Sequence, residues 1–270
     1  MSTGEPQGVL ERLHRHLLQE KGTAYGLEGL ACLFLYTQDA GLGGQVLGAL
    51  LARDGRFDVR DGVVRLAPRR DPFETEEVER VPFAVVDFET NGMTPERAIE
   101  IGVACFEGGE EVEAFETLLD PGTPVAPFVQ RLTGIASADL AGRPTFGAVW
   151  PEVAQKLRGR VLVAHNLAFD RRVLRQEIER VDRGEQLREP AFCTLRFARR
   201  LIPREEGRGL DALAERFGYE FSSRHRALDD ARAAGRILYR LVDLARERVP
   251  ITTWRELRDF VDGTPAESRP

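Results

Sequence analysis

The run Phe83-Ala84-Val85-Val86 constrains the fold more than any other, because it has no polar face. Side chains alternate between the two sides of a strand. Four consecutive apolar residues therefore predict a strand covered on both faces, as at the centre of a layered α/β sheet. The strand ends differently. Asp87 and Glu89, two residues apart, project on the side of Phe83 and Val85 and place two like charges together at its C-terminal end. Such a pair needs something positive between its members.

From residue 81 the patterning is that of an α/β domain. Stretches 82–88, 98–106 and 111–119 read as an antiparallel meander with short Gly-containing connections, followed by helical stretches at 125–132 and 146–158. A buried strand at 160–164 leads into a helix from 167, with further helices at 194–202, 209–217 and 226–248. Strands interleaved with helices predict a mixed sheet. The segment 251–262 has capping-box spacing from Thr253 to Glu256, then Leu257, Phe260 and Val261, and predicts a short amphipathic helix packed on its own domain.

The chain divides into four parts: 1–70, an acidic Pro-containing linker at 71–80, a main domain at 81–250, and a C-terminal helix and tail at 251–270. Within the first part, 8–20, 27–37 and 45–52 have helical patterning, the last run preceded by Gly41-Leu42-Gly43-Gly44. Asp61-Gly62 between two short strands in 56–66 is a hairpin signal. This order resembles a small winged helix-turn-helix. Its last helix, in G-Q-V-L-G-A-L-L-A-R (44–53), offers little beyond Gln45 and Arg53 to base edges, so protein docking and nonspecific duplex binding both stay open.

The net charge of −6 argues against nucleic acid only until it is located. Residues 71–80 hold five acids and one Arg, and 81–250 carry a net charge of −2, a deficit that a site built of four carboxylates accounts for. No apolar run reaches the length of a membrane span, the N-terminus does not read as a signal peptide, and Cys32, Cys105 and Cys193 form no disulfide or zinc pattern. The expectation is a cytoplasmic protein with no membrane partner and cysteines in its core. The Arg196, Arg199, Arg200, Arg204 and Arg208 run reads as solvated surface, with guidance of a substrate backbone as the alternative.

Two further stretches carry acids toward the core side. In A-H-N-L-A-F-D (164–170), Asn166 is placed to cap the helix, and Asp170 lies on the stripe of Leu174 and Ile178. In S-R-H-R-A-L-D-D (223–230), Asp230 aligns with Ala227, Ala234 and Leu238, whereas Asp229 aligns with Arg226, Arg232 and Arg236 on the face expected to be solvated. His225 stands at the entrance of this helix. Buried acids with few cations on the same faces point to bound metal, and all-oxygen ligands suit Mg²⁺ or Mn²⁺.

D-F-E-T-N-G, A-H-N-L-A-F-D and H-R-A-L-D-D, with R-A-I-E-I-G-V and L-T-G-I between them, resemble in order the motifs of the DnaQ-like DEDDh 3′→5′ exonucleases, the family of the epsilon proofreading subunit of bacterial DNA polymerase III. The resemblance covers about 81–245 and implies a ribonuclease H-like, mixed five-stranded sheet flanked by helices. It implies two divalent ions held by Asp87, Glu89, Asp170 and Asp230, with His225 as general base and Thr90, Thr133, His165, Asn166 and Phe169 lining the terminal-nucleotide pocket. The implied reaction releases nucleoside 5′-monophosphates from 3′ ends of single-stranded or frayed DNA, in proofreading or repair. An exoribonuclease of the same fold is the alternative, followed by a non-catalytic docking module. A DNA polymerase or repair protein is an expected partner through 1–70 or the C-terminal helix. Asn91 stands where the family often has Thr.

Overall fold

The computed structural model describes residues 6–19, 25–54, 56–66, 71–181, 187 and 189–263. The chain forms two compact units, Met1–Asp71 and Pro72–Pro270.

The first unit holds α1 (Pro6–Gln19), β1 (Tyr25–Gly26), α2 (Leu27–Leu35), α3 (Ala40–Leu51), β2 (Phe57–Arg60) and β3 (Val63–Leu66). Its strands form one antiparallel sheet in the order β1-β3-β2. Leu13, Leu30, Leu47, Leu51 and Val64 are almost fully enclosed between helices and sheet. The hairpin turn is as its residues require, with Asp61 and Gly62 both at positive φ (53° and 71°). Helix α3 starts earlier than its glycines suggest. The Asp39 carboxylate accepts the Leu42 N–H at 2.9 Å and nucleates the first turn. Gly43 and Gly44 are then buried against α2, where a side chain on Gly43 would meet the Ala31 methyl at 3.2 Å. The outer side of α3 presents Leu42, Gln45 and Val46, with little to hold a phosphate backbone.

The second unit runs β4 (Phe83–Thr90), β5 (Ala98–Glu107), β6 (Glu110–Leu118), α4 (Pro127–Thr133), α5 (Ser137–Leu140), α6 (Phe146–Leu157), β7 (Val161–Ala164), α7 (Leu167–Val181), β8 (Ala191–Cys193), α8 (Thr194–Leu201), α9 (Leu210–Phe217), α10 (Ala227–Arg246) and α11 (Trp254–Asp262). The five-stranded sheet has the order β6-β5-β4-β7-β8, antiparallel on the β5 side of β4 and parallel on the β7 side. This is the mixed ribonuclease H-like sheet flanked by helices, with β4 at its centre. The sequence patterning does not reveal β8 and α5, because three or four residues are too few to show a period.

Both faces of β4 are covered. Phe83 and Val85 join a core with α8, α9, α10 and α11, while Ala84, Val86 and Phe88 pack with α6 and α7 on the other side. The acidic stretch from Pro72 belongs to this second unit rather than hanging free between two domains. Val78 is 1 % exposed, and Glu77 bridges Thr253 while the Trp254 N–H reaches the Glu76 carbonyl at 2.8 Å. Helix α11 carries the expected capping box and buries Trp254, Leu257 and Val261. Among the described residues, no helix is long and apolar enough to cross a membrane. Cys105 is buried; Cys32 and Cys193 are only partly so.

Helix α10 lies close on β5. A methyl group at Gly235 would press into the Phe106 ring, at 2.6 Å from Cζ and 2.9 Å from Cδ2. Gly235→Ala is therefore expected to destabilise the protein by ~1–3 kcal/mol, read as a lowered urea midpoint. Phe106→Leu in the same chain should recover part of that loss, because it clears the clashing ring atoms.

Candidate active site

The covered half of β4 ends at Val86, and beyond it the strand opens. Asp87 and Glu89 are both partly exposed, on the face that α10 covers. Directly across the antiparallel pair stand Gly102 beside Asp87 and Glu100 beside Glu89. From the opposite face, the first turn of α7 brings in Asp170, 2 % exposed, whose Oδ1 accepts the Phe88 N–H at 3.2 Å. The first turn of α10 supplies Asp230, 3 % exposed. Ligand atoms of Glu89, Asp230 and His225 lie within 4.8 Å of one another.

Concentrating these acids changes their protonation. Burial, then the charges of Asp170, Asp230 and Glu89, raise the Asp87 carboxyl well above its ordinary range. Burial and the Asp230 charge push Glu89 up to about 8, and burial pushes Asp170 up to about 8. Asp230 rises to about 6 through burial, held back by Arg224. Burial first, and Arg224 second, lower the His225 imidazole, so its ring is neutral at pH 7.

The donor set fits divalent metal. Asp230 Oδ1 is buried without a hydrogen-bond partner, an orphaned acceptor on a residue grouped with Glu89 and His225. Carboxyls raised in the folded state bind protons more tightly than the unfolded chain does. Metal-free stability should therefore fall as pH climbs from about 4.5 to about 8. Mn²⁺ at a hundredfold excess over its dissociation constant should raise Tm by ~5–10 °C at the alkaline end, measured by thermal melting against EDTA.

Two residues, Arg224 and Glu100, contribute that the sequence reading does not single out. Arg224 is a cation among the acids, paired with Asp230 through Nη1 and with Asp211 through Nε. Its loop position before the helix hides it from any periodicity argument, and it corrects the expectation of few nearby cations. Glu100 is fully buried and accepts from Arg226 Nε at 2.8 Å and from the Ala227 N–H at 3.1 Å, pinning the start of α10 to the sheet. An acid inside the apolar A-I-E-I-G-V strand is its signal. Asn91, fully buried, organises the loop after β4. Its Oδ1 accepts the Met93 and Arg97 N–H groups at 3.2 and 3.0 Å, and its Nδ2 donates to Thr123.

Asp229 also differs from expectation. It is 7 % exposed rather than solvated, and it accepts from the Tyr219 hydroxyl at 2.9 Å and the Ser223 N–H at 2.6 Å. The loop 218–226 folds back over the helix entrance, which a helical wheel does not register.

The pocket residues are placed unevenly. Thr90 closes β4, its hydroxyl 3.4 Å from Glu96. Phe169 is half-buried beneath the Arg172 guanidinium, at 5.2 Å. Asn166 is exposed and adopts the left-handed conformation (φ 74°), with its carbonyl accepting the Phe169 N–H at 2.9 Å. The Thr133 hydroxyl donates to the Val129 carbonyl and accepts the Ile135 N–H, which ends α4. His165 has both ring nitrogens engaged, Nδ1 with the Thr194 hydroxyl at 2.9 Å and Nε2 with the Arg208 carbonyl at 3.1 Å. A carbonyl only accepts, so Nε2 carries the proton, and burial lowers this ring to about 4. In the Arg-rich run, Arg196 pairs with Asp262 at 3.0 Å, Arg200 lies over the Phe260 ring and Arg208 Nε donates to the Ile202 carbonyl.

Fold and site together define a class of protein: a nuclease domain in which a central strand ends in carboxylates able to hold divalent ions. The RNase T-type exonuclease family profile matches residues 84–238, and the chain belongs to that family. It is 33% identical over 163 residues to the DNA polymerase III epsilon subunit of Aquifex aeolicus, covering 60% of this chain and 80% of that subunit. It is 34% identical over 187 residues to the PolC-type DNA polymerase III of Thermotoga maritima, covering 67% of this chain but 14% of that polymerase. It spans 31% of a Mycobacterium tuberculosis protein named for exonuclease and endonuclease functions, at 36% identity. Among solved structures, exonuclease X in complex with 5′-overhanging duplex DNA superposes with a TM-score of 0.52 at 25% identity, over 66% of this chain and 99% of that one. The nuclease domain of 3′hExo, a DEDDh family member bound to rAMP, shares the fold with a TM-score of 0.50 at 21% identity, over 62% and 94%.

Proposed function

We propose that this chain is a 3′→5′ exodeoxyribonuclease that releases nucleoside 5′-monophosphates, using two Mg²⁺ or Mn²⁺ ions held by Asp87, Glu89, Asp170 and Asp230. The observation that carries this reading is the convergence of four acids from three separated segments: Asp87 feels the charges of Asp170, Asp230 and Glu89, and Asp230 keeps one buried carboxylate oxygen without a hydrogen-bond partner. When bound, the ions supply charge neutralisation at the phosphate and acidify water. The protein's own part is positional and protolytic. β4 presents Asp87 and Glu89 side by side, Glu100 fixes the turn carrying Asp230, and the Phe88 N–H orients Asp170. The neutral His225 ring, within reach of Glu89 and Asp230, has a lone pair to accept a proton from attacking water. Thr90, Asn166 and Phe169, near these carboxylates in sequence, would line the space for the terminal nucleotide together with Thr133 and His165.

DNA as substrate is supported by the epsilon and PolC-type relatives, and proofreading or repair is the matching context. The first unit and α11 remain the candidate attachment points for a polymerase or repair protein. The test is parallel digestion of labelled single-stranded DNA and RNA of one sequence with Mn²⁺, Mg²⁺ or EDTA. DNA shortened with metal alone supports the reading. RNA shortened in its place moves the assignment to an exoribonuclease, and cleavage of neither favours a docking module.

A further inference from the structure

Arg224 is held on two sides and points with a third. Asp211, at the start of α9 and 70% exposed in its side chain, takes the Nε edge of the guanidinium, and its Oδ2 also accepts from Nη2 at 3.3 Å. The Phe221 ring lies 5.2 Å from the guanidinium carbon. The remaining Nη1 corner enters the acidic centre, where it pairs with Asp230 Oδ2 and lies 3.3 Å from His225 Nδ1. Its charge is felt as far as Asp87 and Glu89. Among the described residues, Arg224 is thus a cation set beside the acids and the histidine of this centre, and its anchor on Asp211 lies outside it.

We propose that Arg224 is both the counter-ion of the metal-free centre and a phosphate-binding residue. Its Nη1 caps Asp230 until a divalent ion takes that carboxylate, and it then donates to a phosphate oxygen of the nucleotide. The phosphate half rests on the exonuclease reading. Two physical reasons lead here. A guanidinium corner that loses its carboxylate still has donors and needs an acceptor, and a phosphate oxygen is the acceptor this family's substrates bring. The fork on Asp211 also keeps the group from swinging into solvent, so the corner stays at the rim of the site when its partner changes.

The test compares wild type, Arg224→Gln and Arg224→Lys as full chains stripped of metal. Mn²⁺ alone is titrated calorimetrically, and then thymidine 5′-monophosphate is titrated at saturating Mn²⁺. Arg224→Gln should bind Mn²⁺ about tenfold more tightly, because its competitor is gone, and the nucleotide about tenfold or more weakly. Arg224→Lys should recover part of the nucleotide affinity, since it keeps the charge and loses the fork. Isotherms within twofold of wild type for both ligands, with only a lowered Tm, would reduce Arg224 to a brace between its loop and α9 and overturn the proposal. A wild-type chain that binds Mn²⁺ but no nucleotide would overturn the exonuclease reading and the phosphate half together, while the Mn²⁺ comparison would still decide the counter-ion half.

Discussion

Asp87→Asn is expected to abolish hydrolysis, by ~10³-fold or more in kcat, while making the metal-free protein more stable. The two effects have one cause. Asp87 sits where burial and the charges of Asp170, Asp230 and Glu89 all oppose its ionisation. An amide of the same shape removes a like charge from that cluster and relieves its neighbours. In EDTA at pH 8 the variant should melt higher than wild type, by ~3 °C or more. With Mn²⁺ the order should reverse, because wild type gains a bound ion and the variant has lost one of the four acids proposed to hold it. A variant that melts lower than wild type in EDTA would mean that Asp87 is a structural residue and that the cluster is satisfied without metal.

Gly102→Ala should damage both stability and activity although Gly102 has no side chain to take part in the reaction. Gly102 lies across the strand pair from Asp87, and the first peptide of α10 rests on it. A methyl group there would stand 2.5 Å from the Ala227 carbonyl oxygen and would also overlap the backbone of Ala227 and Leu228. Backbone atoms cannot rotate away as a side chain can, so the helix must lift. Lifting it breaks the Ala227 N–H bond to Glu100 and displaces Asp230, three residues further on. The expected loss is ~3 kcal/mol in urea unfolding and at least ~10²-fold in kcat, the second from displacement of a ligand by about an ångström. Activity within twofold of wild type would show that Asp230 does not depend on the seating of α10.

Much of the centre was legible because its acids break local patterns. Asp87 and Glu89 interrupt an apolar strand, Asp170 falls on an apolar helical stripe, and Asp230 shares a face with Ala234 and Leu238; each is a charge where the period calls for a hydrocarbon. The meander, β7 and the long helices show equally clear periods. What was hidden belongs to loops and to contacts between segments. Arg224 lies in an irregular entrance, and only the folded chain brings it against Asp211 and Asp230. Helical phase alone places Asp229 toward solvent, but the loop that covers it comes from residues before the helix. Glycines 41, 43 and 44 read as a break before α3, yet the last two are the residues that let it pack on α2. Composition carries no record of such close approaches.

The most direct measurement is a time course on 5′-end-labelled single-stranded DNA with Mn²⁺, beside EDTA and Asp87→Asn controls, with the released products identified by mass. The expected result is a ladder shortening one nucleotide at a time from the 3′ end, release of deoxynucleoside 5′-monophosphates, and no reaction in either control. Immediate release of the 5′ label as a mononucleotide, or cleavage that persists in EDTA or in Asp87→Asn, would contradict it.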